Sequence, residues 1–132
     1  MVKKEDWKNH EMPARSERFV LERALDEGEL ALIRQGHLPQ EMEDKWFIYS
    51  EGDTLFVHRS WTGHCIYIVA LSQSGALEVT VNRDPAQYRE TDVECDRIQL
   101  NILLNQLTGR RGENAGLMKE YLAQKRKAQN SQ

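Results

Sequence analysis

The chain has 132 residues, 39% of them hydrophobic and 30% charged, the proportions of one globular domain with a single core and not of a disordered chain. A formal net charge of −3 gives no long-range attraction for phosphate backbones or anionic membranes, so neither nucleic acid nor membrane is expected as a partner. Every apolar run falls short of the roughly 20 residues that cross a bilayer, and "MVKKEDWKNHEM" lacks the apolar stretch of a signal peptide, so the expected location is cytoplasmic.

The polar residues 1–15 read as a loose N-terminal arm whose one large apolar group is Trp7, unless that indole docks on the body or on a second subunit. From Ser16 to Arg34, Phe19, Val20, Leu21, Ala24, Leu25, Leu32 and Ile33 fall at helical spacing before Gly36 and Pro39. That pattern predicts a helix over 16–34 with Ser16 as N-cap and Gly28 weakening its middle by about 1 kcal/mol.

Four strand-like segments follow within 45–82: "KWFIYS", "TLFVHRS", "CIYIVAL" and "ALEVTVN". Connections of a few residues are too short for parallel crossovers and predict an antiparallel meander. In the fourth segment Leu77, Val79 and Val81 alternate with Glu78, Thr80 and Asn82, which assigns the valines and the leucine to the core face. The third segment is apolar on both faces, so it should be central, or one face of the sheet should be covered twice.

"TDVE" at 91–94 matches a capping box with Thr91 as N-cap, opening a helix over 92–107 that is apolar on two sides and closed near Gly109. A shorter amphipathic stretch carrying Leu117, Met118, Tyr121 and Leu122 then leads into a basic tail, 124–132, expected to fray. Cys65 and Cys95 stand apart without a CxxC pattern, and both are expected to be buried, reduced thiols.

The chemistry-bearing residues crowd into "HRSWTGH" at 58–64. Strand alternation puts His58 and Ser60 on one face and Arg59 on the other, with Thr62 and Gly63 in the bend. Arginine offers a planar donor fork, a turn offers backbone N–H groups and tryptophan offers a flat face, a combination suited to a phosphorylated, nucleotide-like molecule. The competing reading is structural: Trp61 caps one end of the core, Gly63 makes the turn and Arg59 pairs with a surface carboxylate. His58 is the one candidate for an acid or base. His58 and His64 have no further ligand at zinc spacing, so neither metal nor cofactor is expected. "GRRG" at 109–112, with Arg110 and Arg111, is the other place where an anion could sit, against the reading of both as helix-end charges, and Arg83 and Arg89 beside the loop after the fourth strand read as solvated loop charges.

"MEDKWFIY" at 42–49 followed by "LFVHRSWTGHCIYIV" at 55–69 resembles a small bacterial family with a MEDKWF…HRSWTG.CIY signature, loosely associated with proteins that handle ADP-ribose or NAD-derived molecules. The resemblance covers Met42 to Val69. It implies no particular reaction, only that Lys45, Trp46, His58, Arg59, Ser60, Trp61, Thr62 and Gly63 are positions of interest. His64 departs from the pattern, which carries an apolar or aromatic residue there.

The expected protein is therefore a single α+β domain, a four-stranded antiparallel meander packed by helices at both ends of the chain. Ligand-binding residues are expected at Arg59, Ser60, Trp61, Thr62 and Gly63. An enzyme using His58 and a purely structural or interaction domain are the alternatives, and surplus apolar surface on the third strand and the long helix makes a homodimer an expectation.

Overall fold

The structure is a computed structural model describing residues 1–130. It is α+β with an antiparallel sheet, but the sheet has five strands in the order β1-β5-β4-β3-β2. The four expected strands are present as β2 (Trp46–Glu51), β3 (Thr54–Arg59), β4 (Cys65–Ala70) and β5 (Ala76–Asn82). They form the expected meander, with β4 central and apolar on both faces.

The fifth strand, β1 (Ser16–Glu22), comes from the segment predicted as the start of a helix over 16–34. Its side chains follow a two-residue period: Phe19 and Leu21 are buried, whereas Arg18, Val20 and Glu22 are exposed. Pairing of Phe19 with Val79 and Leu21 with Leu77 fixes the register. A cluster as short as "FVL" satisfies both periods, and the neighbouring edge of β5 decides for the strand.

The helix itself, α1 (Glu27–Gln35), begins at a different signal. Asp26 is the N-cap, accepting from the Glu29 backbone N–H at 2.8 Å, and the Glu29 carboxylate accepts from the Asp26 N–H in return. Gly28 therefore lies in the first turn and not in a helix middle, while Leu30 and Ile33 are the buried side of α1.

Contacts divide the chain into two compact units, the first being Met1–Arg89 and the second beginning at Glu90. In the second, α2 (Val93–Leu107) is capped by Asp92, not Thr91, because the Asp92 carboxylate reaches the Cys95 N–H. A short 3-10 turn at Arg111–Glu113 leads into α3 (Asn114–Asn130), which returns along α2. Asn114 meets Asn105 and the Ile102 carbonyl at one end, and Gln124 donates to Asp92 at the other. The tail expected to fray is thus helical through Asn130; the last two residues lie outside the described ones. Both cysteines are free and buried, and burial pushes each thiol up to about 12. Among the described residues no helix is long and apolar enough to cross a membrane.

The N-terminal arm is docked, not loose. The Val2 N–H donates to the Gln35 carbonyl, the Trp7 indole N–H to the Ser60 carbonyl, and the His10 N–H to the Gly63 carbonyl, at 2.9, 2.7 and 2.8 Å. Two of these attachments fall on the hairpin corner that carries the candidate residues.

Candidate functional site

The corner joins β3 to β4. The Arg59 N–H donates to the His64 carbonyl and the Gly63 N–H to the Arg59 carbonyl, both at 2.9 Å, with Ser60 to Thr62 forming the turn. Thr62 Oγ1 accepts from the His64 N–H. A register shift between Val57 and His58 marks a bulge on entry to the corner. Gly63 has φ +81, and a Cβ there would lie 3.2 Å from His10 Cδ2 and 3.3 Å from the Lys8 carbonyl oxygen. The arm runs where only glycine leaves room.

The two halves of the "MEDKWF…HRSWTG" signature face each other. Trp46 pairs with Arg59 and Phe47 with His58 across β2 and β3. Beyond the strand ends, the Ser60 hydroxyl donates to the Asp44 carbonyl at 2.6 Å, the Ser60 N–H to the Lys45 carbonyl, and the Trp61 indole N–H to the Met42 carbonyl at 2.7 Å. Much of the motif is therefore a clamp between one strand entry and one strand exit. Ser60 is 1% exposed, with its N–H, C=O and hydroxyl all engaged; it shapes the corner and offers no free donor.

His58 is also internal, at 2% exposure. Its ring stacks on Tyr49 at 5.5 Å and tilts against Phe47 at 5.9 Å. Nδ1 lies 3.0 Å from the Gly63 carbonyl, so that nitrogen carries the proton, and Nε2 is buried without a hydrogen-bond partner among the described residues. Burial holds the imidazole pKa below its usual range, and the positive charges of His10 and Lys4 add to the effect. Burial also pushes the stacked Tyr49 phenol up to about 12. Alternation along β3 sends this cluster to the face opposite Arg59.

A pH dependence follows with a definite sign. The folded-state pKa of His58 is depressed, so the unfolded chain takes up this proton first as pH falls through about 6.5. The contribution is complete above that value and is lost between it and the lower folded-state value. Wild type should therefore lose more stability than His58→Phe when urea unfolding is compared at about pH 7.5 and about pH 5, by at most about 1.4 kcal/mol per pH unit. Parallel pH profiles would show that His58 is not held neutral by the fold.

Arg59 lies on the other face. Its guanidinium carbon sits 4.3 Å from the Trp46 ring centroid and 5.9 Å from that of Tyr88. Trp46 stacks in turn on Tyr67, whose hydroxyl meets that of Tyr88 at 3.0 Å. Among the described residues no carboxylate pairs with Arg59. The aromatic stack holds the cation in place and leaves its N–H fork open.

Arg59 faces a cleft of about 360 Å³ formed with Met42, Glu43, Lys45, Trp61, Thr62 and Gln87. Trp61 is 66% exposed and Met42 76% exposed, so Trp61 does not cap the core. Its indole stands as a ridge, because Trp61 and Met42 also line a second cleft, of about 610 Å³. Of the residues singled out in the sequence, Arg59, Trp61, Thr62 and Lys45 meet at the first cleft. His58 and Ser60 are internal, and Gly63 is covered by the arm. Met42 and Glu43, which open the "MEDKWF" signature, were not among the positions singled out, and nothing in the local sequence marks Gln87; the fold brings all three there.

Fold and corner together define a small α+β protein with an open cleft beside one hairpin, lined by two cations, Arg59 and Lys45, one carboxylate, Glu43, and the Trp61 indole. The chain matches no family model, no curated protein and no solved structure. Among the described residues no group of three or more His, Cys, Asp or Glu side chains could hold a metal ion.

Proposed function

We propose that the cleft beside the "RSWTG" corner binds a phosphorylated, nucleotide-like molecule, and that the protein is a ligand-binding or accessory module. The observation that carries this reading is Arg59: a guanidinium fixed on the Trp46 face, without a carboxylate partner among the described residues, and open to a cleft that Lys45 also lines. A half-buried cation with its donors unmatched is suited to an anionic oxygen cluster, which the planar fork can take two bonds at a time. The exposed Trp61 face beside it suits a ring. His58, internal and turned to the opposite face, gives the alternative of an acid–base enzyme no support.

A thermal-shift screen with nucleotides, NAD and ADP-ribose tests the reading, because a ligand held only by the folded state raises the melting temperature by mass action. Arg59→Ala should weaken such binding roughly ten- to a hundred-fold by removing a charge-assisted hydrogen bond. Neither Arg59→Ala nor Trp61→Ala should cost more than about 2 kcal/mol of stability, since one loses mainly a cation–π contact and the other an exposed ring. Stable variants that respond to these compounds as wild type does would count against the site. A large stability loss in Trp61→Ala would restore that residue's structural role.

A further inference from the structure

The second cleft, about 610 Å³ in volume, shares the ridge of Trp61 and Met42 with the first and is walled besides by Trp7 and Lys8 of the arm, Pro39, Gln40, Glu41 and Ser60. Two indoles meet the same cavity, Trp7 at 37% and Trp61 at 66% exposure. Each is fixed by its ring N–H, Trp7 to the Ser60 carbonyl and Trp61 to the Met42 carbonyl. What they present to the cavity is therefore ring face and not donor. Of the other polar side chains of the wall, the Ser60 hydroxyl donates to the Asp44 carbonyl and the Gln40 amide to the Leu38 carbonyl, whereas the charged ends of Lys8 and Glu41 are exposed and bonded to no other group among the described residues.

We infer that this second cleft is the ring-binding half of a composite site, that Trp7 of the docked arm is its second platform, and that it accepts the base of a nucleoside phosphate without reading the base's edge. The inference rests on the reading of the first cleft as an anion site, because Trp61 and Met42 are common to both clefts and a ligand crossing that ridge places its phosphate beside Arg59 and Lys45. Stacking on an indole needs only a π face, which every base has, whereas discrimination between bases needs donors and acceptors aimed at their edges. Here the groups that the fold holds in place, the two indole N–H groups and the Ser60 hydroxyl, are engaged within the protein, and the two charged side chains, Lys8 and Glu41, are exposed and not held in one position by a partner. Specificity should therefore reside in the phosphate and in the presence of a planar ring, with little preference among bases.

Isothermal titration with AMP, UMP and ribose 5-phosphate tests each part. Wild type should bind AMP and UMP within about threefold of each other and ribose 5-phosphate roughly tenfold or more weakly, the effect of one stacked base. Trp7→Ala should narrow the gap between AMP and ribose 5-phosphate while leaving ribose 5-phosphate affinity unchanged. Trp7→Phe, which keeps a ring face, should retain most of the gap. Ribose 5-phosphate binding as tightly as AMP to wild type would overturn the ring cleft while leaving the phosphate site standing. A preference between AMP and UMP of more than about tenfold would overturn the base-tolerant platform. No saturable binding by any of the three would remove the anion site and this inference together.

Discussion

Val79→Asp is expected to unfold the first unit or to lower its stability by more than about 4 kcal/mol, the range reached when a charge is buried without a partner. Val79 is 1% exposed and lies in β5 between two neighbours, opposite Phe19 on β1 and Val69 on β4. A carboxylate there would be enclosed by apolar side chains, and it would either ionise at a large desolvation cost or remain protonated with its hydroxyl unsatisfied. Thr80→Asp, one position along, turns to the opposite and less buried face and serves as the control. Urea unfolding followed by far-ultraviolet circular dichroism measures both. A Val79→Asp variant with the midpoint of Thr80→Asp would remove the assignment of this strand face to the core.

That assignment was legible because Leu77, Val79 and Val81 alternate with the charged or polar Glu78, Thr80 and Asn82 over six consecutive residues of "ALEVTVN". β2, β3 and β4 were readable for a related reason: short turn segments separate their apolar runs, and the short connections leave antiparallel pairing as the only simple path. β1 was not readable. Its three consecutive apolar residues fit a helix and a strand equally, and the choice is made by β5, some sixty residues away in sequence, which offers Val79 and Leu77 as partners for Phe19 and Leu21. The start of α1 was present in the sequence as Asp26 and Glu29, but the apolar spacing upstream of it pointed to an earlier start.

The corner was legible as a place and not as an arrangement. Crowding of polar and aromatic types in "HRSWTGH" marked the turn between β3 and β4, and strand alternation separated His58 from Arg59. The sequence carried no sign that Ser60 closes a clamp on the Asp44 and Lys45 carbonyls, because backbone acceptors have no residue type. Nor did it show that Trp61 points outward. A tryptophan beside a hairpin is compatible with burial or exposure, and here the bond from its ring N–H to the Met42 carbonyl fixes it outside. Docking of the arm was legible only as an alternative, through Trp7, and its seat was not, for the same reason: two of its attachments are backbone N–H groups, and the third is a side-chain bond to a backbone oxygen.

Gly36→Ala should be the most disruptive single methyl addition in the first unit. Gly36 closes α1 with φ 77 and ψ −166, a combination essentially reserved for glycine. A Cβ at this position would lie 2.3 Å from the Ile48 carbonyl oxygen and 3.1 Å from Val2 Cβ. The oxygen cannot simply retreat, because it accepts from the His37 N–H at 2.8 Å while the Ile48 N–H donates back to the His37 carbonyl at 2.9 Å. Relief of the clash therefore means opening that bridge beside β2 or turning the end of α1, and either movement displaces the Gln35 carbonyl to which the Val2 N–H is bound. Backbone strain and a broken bridge together should cost about 3 kcal/mol or more, lowering the melting temperature by about 10 °C. Gly52→Ala is the matched control: it too has a positive φ, but nothing lies within 4 Å of its added Cβ, so it should cost only about 1 to 2 kcal/mol. Thermal unfolding of the two variants side by side decides the matter. Equal melting temperatures would mean that the backbone at Gly36 does not pass as close to β2 as described, whereas a selective loss in Gly36→Ala, with faster amide exchange at Val2, would tie the end of α1 to the seating of the arm that carries Trp7.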